Sequence, residues 1–215
     1  MKTRAIQIEH QNFQLHPRGA VYWEAQQILL IADVHFGKVM HFRKHGSAVP
    51  MEAIYENFKN LNQVLDYFRP KRVIFLGDLF HSYQNMEWDL FREWIKERQE
   101  AYMLIVGNHD VIAAEQYEAL GVNVEEEYTL DSFFLTHHPE TKEGVFNIAG
   151  HLHPGVRFYG MGKQKISVSC FYQNENGLIL PAFGAFTGKH LMVPKSGDQI
   201  FAVVGDEVIP VQLSP

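Results

Sequence analysis

"YMLIVGNHD", residues 102–110, sets five strand-forming apolar residues directly before Gly107, Asn108, His109 and Asp110. A tight turn accounts for Gly107, Asn108 and Asp110, which all suit unusual backbone geometry. It leaves His109 unexplained, and four other segments repeat the pattern. "ILLIADVH" (28–35) ends in Asp33 and His35, and "RVIFLGDLFH" (72–81) reaches Asp78 and His81. "FFLTHH" (133–138) ends in His137 and His138, and "FNIAGHLH" (146–153) in His151 and His153. Short runs of Ile, Val, Leu and Phe read as strands buried on both faces.

Helical patterns separate the first three strands. From Pro50 to Phe68, Ile54, Phe58, Leu61, Val64, Leu65 and Phe68 recur at helical spacing, and Pro70 closes the segment. Trp88, Phe91, Trp94 and Ile95 form a second apolar stripe between Asn85 and Arg98, and a shorter helix is expected over 113–119 before Gly121. Strand and helix in alternation predict right-handed βαβ units and a largely parallel sheet. Ligands of such sheets bind at the carboxyl ends of the strands, so residues spread from 33 to 153 are expected in one pocket. The last third reads as antiparallel strands: "KISVSCFYQ" (165–173), a turn, "LILPAF" (178–183), "QIFAVVG" (199–205) and "EVIPVQL" (207–213). "IQIEHQNFQL" and "AVYWEA" near the N-terminus are expected to pair likewise. "VEEEY" (124–128) reads as a solvated edge. The expected architecture is α/β, two packed mixed sheets with helices outside, in a single domain over residues 1–215.

The chain has 215 residues, a formal charge of −6 and no run approaching the length of a membrane span. Its acidic balance argues against passive coating of DNA. Bound divalent cations would offset that charge where a phosphate docks. A single cysteine, Cys170, excludes an intramolecular disulfide and fits a reducing compartment. The N-terminus lacks a secretory apolar core, and a cytoplasmic location is expected. Twelve histidines are present, against roughly five from average usage. Oxygen and imidazole donors without thiolate suit Mn, Fe, Zn or Ni. A set as large as Asp33, His35, Asp78, Asn108, His137, His151 and His153 exceeds one tetrahedral site. It fits two cations sharing a carboxylate, as in displacement at phosphorus.

The order "DVH", "GD", "GNHD", His137 and "GHLH" across residues 28–153 resembles the calcineurin-like metallophosphoesterases. That resemblance implies a four-layer α/β/β/α sandwich and a dinuclear centre, with Mn²⁺ the leading metal. By motif, Asp33, His35 and His153 would hold one ion, Asn108, His137 and His151 the other, and Asp78 would bridge. His109 would be the catalytic histidine that protonates the leaving oxygen, with Asp110 orienting it. Attack on phosphorus would be in line, by a hydroxide held between the ions. The fourth family motif is commonly His-Gly, whereas this chain has "THHP"; His137 directly follows the strand and is taken over His138.

"LLIADVHFGK", an arginine and "GSAVP", "GDLFHS" and "LPAFGAFTG" are similar to the ligase-associated DNA damage response endonucleases, a subgroup encoded beside a DNA ligase. That similarity implies a DNA phosphodiester substrate and a ligase or helicase partner, with Arg43 as a substrate contact. His81 reads as a substrate contact or, by preference, as a group that hydrogen-bonds a metal ligand. An exposed strand edge could support a homodimer. The competing readings are a phosphatase or diesterase for small nucleotides and a non-catalytic scaffold of the same fold. Acidic charge favours small substrates, and the subgroup resemblance favours nucleic acid. The full ligand set and His109 speak against the scaffold.

Overall fold

The computed structural model describes residues 1–40, 52–83, 85–185 and 187–212. A first sheet takes its seven strands in chain order: β1 (Arg4–Ile8), β2 (Gln11–Leu15), β3 (Val21–Trp23), β4 (Ile28–Ile31), β5 (Arg72–Leu76), β6 (Ala101–Ile105) and β7 (Val122–Glu125). Pairing is antiparallel from β1 to β4 and parallel from β4 to β7. The second, nine-stranded sheet comprises β8 (Tyr128–Leu130), β9 (Phe133–Leu135), β10 (Phe146–Ala149), β11 (Pro154–Tyr159), β12 (Lys165–Gln173), β13 (Gly177–Ile179), β14 (His190–Leu191), β15 (Gln199–Val204) and β16 (Glu207–Val211). It is also mixed, with β9, β10 and β13 parallel neighbours.

Apolar residues on β4, β5 and β6 alternate strictly between two cores. Leu29, Ile31, Val73, Phe75, Tyr102 and Leu104 face the helices. Ile28, Leu30, Ile74, Leu76, Met103 and Ile105 face the second sheet, against Phe133, Leu135, Ile148 and Phe171. Burial on both faces is why these strands read as unbroken apolar runs rather than alternating ones.

The helices end where their sequences dictate. α1 (Glu52–Phe68) packs Phe58, Leu61, Val64 and Leu65 on the first sheet. It stops at Arg69, whose left-handed backbone returns an N–H to Leu65 O at 2.7 Å before Pro70. α2 (Met86–Lys96) starts at Asn85, whose side chain accepts from Glu87 N at 2.8 Å. α3 (Ala114–Glu118) contributes Tyr117 to the same core.

Two expectations need revising. The five ligand-bearing strands belong to two sheets: β4, β5 and β6 to the first, β9 and β10 to the second. The strand expected over 178–183 stops at Ile179. Pro181 has no N–H to continue a ladder, and the chain crosses to the first sheet, where Phe183 N donates to Ala32 O at 2.9 Å. "VEEEY" is a solvated edge as expected: it starts in β7, the edge strand of the first sheet, and Glu125, Glu126 and Glu127 are exposed.

Candidate metal centre

Five of the seven ligand candidates leave their strands through a sharp backbone reversal. Asp33, His35, Asp78, His151 and His153 all have positive φ, between 48° and 67°. Non-glycine residues rarely occupy this region, at roughly 1 kcal/mol or more each, and such strain concentrates at functional sites. Parallel bonding locks the reversals: Asp33 N donates to Gly77 O at 3.2 Å, and His35 N to Asp78 O at 2.9 Å. The segment at 183–184 docks on the same loop, with Gly184 N 3.1 Å from Asp33 O.

The two carboxylates are then held by backbone from other motifs. His109 N donates to Asp78 Oδ1 at 2.8 Å, and His151 N donates to Asp33 Oδ2 at 2.9 Å. Glycine makes these seats possible. A Cβ on Gly107 would lie 2.3 Å from Asp78 Oδ1, one on Gly150 2.6 Å from Asp33 Oδ2, and one on Gly77 2.2 Å from His137 Nδ1. Glycines at 77, 107 and 150 precede "D", "NHD" and "HLH" in the sequence, so the signal was visible while its cause was not.

Two groups of lone-pair atoms converge on Asp78. Leu76 O can only accept, so His137 Nδ1 donates to it at 2.9 Å, and in the neutral ring Nε2 is left with its lone pair. That Nε2 lies 3.0 Å from Asn108 Oδ1, 3.2 Å from His151 Nδ1 and 3.4 Å from Asp78 Oδ1. On the other side, His35 Nε2 lies 3.9 Å from Asp78 Oδ2 and 3.3 Å from His153 Nε2, which faces Asp33 Oδ1 at 3.3 Å. Asp33 Oδ1 is buried yet accepts no hydrogen bond among the described residues. Acceptors this close repel unless a proton or cation lies between them. Burial, with Lys38 and neighbouring histidines adding to it, holds His35 far below the usual imidazole range, so its ring is neutral and can coordinate. Burial also lowers His151, with His138 and His137 contributing. The donor atoms thus fit divalent cations.

Asp33, His35 and His153 form one potential ligand group, Asp33, Asp78 and His137 another, and His137, His138 and His151 a third. His138, set aside in favour of His137, lies beside it, with its ring 3.9 Å from that of His151. His109 is exposed at the mouth, its ring 4.5 Å from His81 and 5.9 Å from His35. The Asp110 carboxylate, expected to orient His109, accepts from Gly107 N at 2.8 Å and Phe80 N at 3.0 Å, tying the β5 and β6 loops together. Burial raises that carboxyl to about 6, against the pull of those two N–H groups. Lys38 is partly buried and its amine lowered by burial, with Asp78 and Asp33 opposing. Arg43, expected to contact substrate, lies outside the described residues.

The calcineurin-like phosphoesterase profile matches residues 27–182, and the chain belongs to that family. It is a metal-dependent phosphoester hydrolase with two mixed sheets and flanking helices. The crystal structure of Pseudomonas putida nuclease MPE is similar over 98% of this chain and 100% of that one, with TM-score 0.80 and 26% identity. Yfce, a phosphoesterase from E. coli, aligns over 86% of this chain and 97% of its own, with TM-score 0.44 and 14% identity. No curated protein matches the chain. Among the described residues no helix is long and apolar enough to cross a membrane.

Proposed function

We propose that this chain hydrolyses nucleic-acid phosphodiesters as a repair-associated endonuclease, within one metallophosphoesterase domain over residues 1–215. The observation that carries the reading is the split of Asp78, one oxygen toward His137 and the other toward His35. Asp33, His35 and His153 would hold one cation, Asn108, His137 and His151 a second, and Asp78 both. The whole-chain likeness to a nuclease supports the substrate class.

Two divalent cations, proposed as Mn²⁺, would supply an activated water and neutralise charge on the phosphate oxygens. The chain's own groups do the rest. His109, held through its N–H on Asp78, sits exposed at the mouth and protonates the departing alkoxide. His81 borders His109 and is proposed as a substrate contact or as a group that hydrogen-bonds a metal ligand. Arg43 is proposed as a phosphate contact. The ligase-associated resemblance adds a DNA ligase or helicase as proposed partner, in the cytoplasm.

Mn²⁺-loaded protein incubated with end-labelled DNA and with a chromogenic phosphodiester, beside His109→Ala, tests the reading. Cutting of both by the wild type, and of neither by the variant, is the expected result. Hydrolysis of the small diester alone would assign the site to small nucleotides, the class that the net charge of −6 favours.

A further inference from the structure

The hairpin of β11 and β12 starts at Pro154, directly after His153, and uses none of its residues in the centre described above. Its charge is unlike the rest of the chain. Between Glu143 and Asp198 the sequence holds Arg157, Lys163, Lys165, Lys189 and Lys195 against a single acid, Glu175, although the whole chain carries −6.

Register shows how these charges are arranged. Arg157 pairs with Ser167 and Tyr159 with Lys165, so these four share one face with Gly155. Arg157 Nε donates to Ser167 Oγ at 3.2 Å, and Lys165 Nζ lies 5.7 Å from the Tyr159 ring centre. Lys189 belongs to the same face, since a Cβ on Gly155 would meet Lys189 Cβ at 3.0 Å and Cδ at 3.5 Å. Its neighbour anchors that stem to the centre, with His190 N donating to His153 O at 3.0 Å. The order outward from His153 is therefore Lys189, Arg157, then Tyr159 with Lys165, then Lys163 at the turn. Strand rise gives one station about every 7 Å over about 20 Å. Tyr159 is 71% exposed, and Met161 at the tip is 94% exposed. The opposite face, Val156, Phe158, Ile166 and Val168, is apolar.

A row of cations with an exposed aromatic among them is the surface that nucleic-acid strands use, with phosphates on the cations and a base stacked on the ring. We propose that this hairpin face is a nucleic-acid-binding track leading into the metal centre. Phosphates lie along Lys189, Arg157, Lys165 and Lys163, and a base stacks on Tyr159. The proposal rests on the polynucleotide reading above and adds the surface that selects long substrates over small ones.

The test compares wild type, a triple variant (Arg157→Ala, Lys163→Ala, Lys165→Ala) and Tyr159→Ala, all Mn²⁺-loaded. Substrates are a fluorescein-labelled DNA strand of about 20 nucleotides and bis(p-nitrophenyl) phosphate, over about 50–200 mM salt. For the triple variant, kcat/KM on DNA is expected to fall about tenfold or more. Its log–log salt slope should shrink by about 2, and hydrolysis of the small diester should stay within about twofold. Tyr159→Ala should lose about fivefold or more on DNA with its salt slope kept. Equal losses on both substrates, or DNA cleavage unchanged in the triple variant, would overturn the track and leave the nuclease reading standing. A wild type that hydrolyses the small diester but leaves DNA whole would overturn both.

Discussion

The backbone N–H of His109 donates to Asp78 Oδ1 at 2.8 Å. The residue proposed as proton donor is thus seated on the carboxylate proposed to join the two metal sites, and Gly107 clears the space between their loops. A Cβ at Gly107 would lie 2.3 Å from both Asp78 N and Asp78 Oδ1, atoms with no room to retreat. Gly107→Ala should therefore weaken Mn²⁺ binding by about 10–100-fold, as loss of a ligand's supporting contact does. Calorimetric titration with Mn²⁺ measures this directly. Affinity unchanged from wild type would mean that the seat does not matter.

His109 contributes only its backbone to that seat, and its side chain is exposed at the mouth. His109→Ala should lower kcat on a diester by about 10²–10⁴-fold with bound metal unchanged. Rate and metal content are measured on the same preparation, and a parallel loss of metal would reassign His109 to a structural role.

Much of this arrangement was legible in the sequence, and the reasons are local. Buried strands ending in Asp33, Asp78 and His109 stand out because the polarity change is abrupt. α1 and α2 are marked by their apolar spacing and by Pro70 and Asn85. Assignment of strands to sheets was not legible, because the Phe133–Leu135 and Phe146–Ala149 runs look like β5 while packing across from it. Nor were the left-handed conformations of Asp33, His35 and Asp78, which side chains of this size seldom adopt. Nor were the two loop N–H groups that the Asp110 carboxylate accepts from, since a tertiary contact between the β5 and β6 loops leaves no local mark.

Outside the site, His16 is fully buried between β2 and β3. It accepts from Arg18 N through Nδ1 at 3.1 Å and packs edge-on to Tyr67 and Phe68. Burial, with Arg18 and the chain's amino terminus adding and Asp206 opposing, lowers its pKa to about 4. The unfolded chain, near 6.5, binds a proton between these values that the folded chain excludes. This contribution is complete above about pH 6.5 and is lost as pH falls toward 4, by about 3 kcal/mol in all. His16→Phe should flatten the fall of Tm between about pH 6.5 and 4 relative to wild type. Equal slopes in the two proteins would contradict this.

The sheets are clamped by three rings, Phe13 and Trp23 from the first and Phe133 from the second. Their centres are 5.4, 5.2 and 4.7 Å apart, and all three are fully buried. Phe133→Ala should cost about 3–5 kcal/mol of stability in a denaturant titration. A loss under about 1 kcal/mol would show that the sheets do not depend on this contact.

The two-sided use of Asp78 is most directly tested by counting metal. Wild-type protein equilibrated with Mn²⁺ and freed of excess should carry two ions per chain by elemental analysis. Asp78→Asn, checked for folding by circular dichroism, should retain about one or none. A wild type that binds a single ion, or an Asp78→Asn variant that keeps both, would contradict the shared carboxylate and the mechanism built on it.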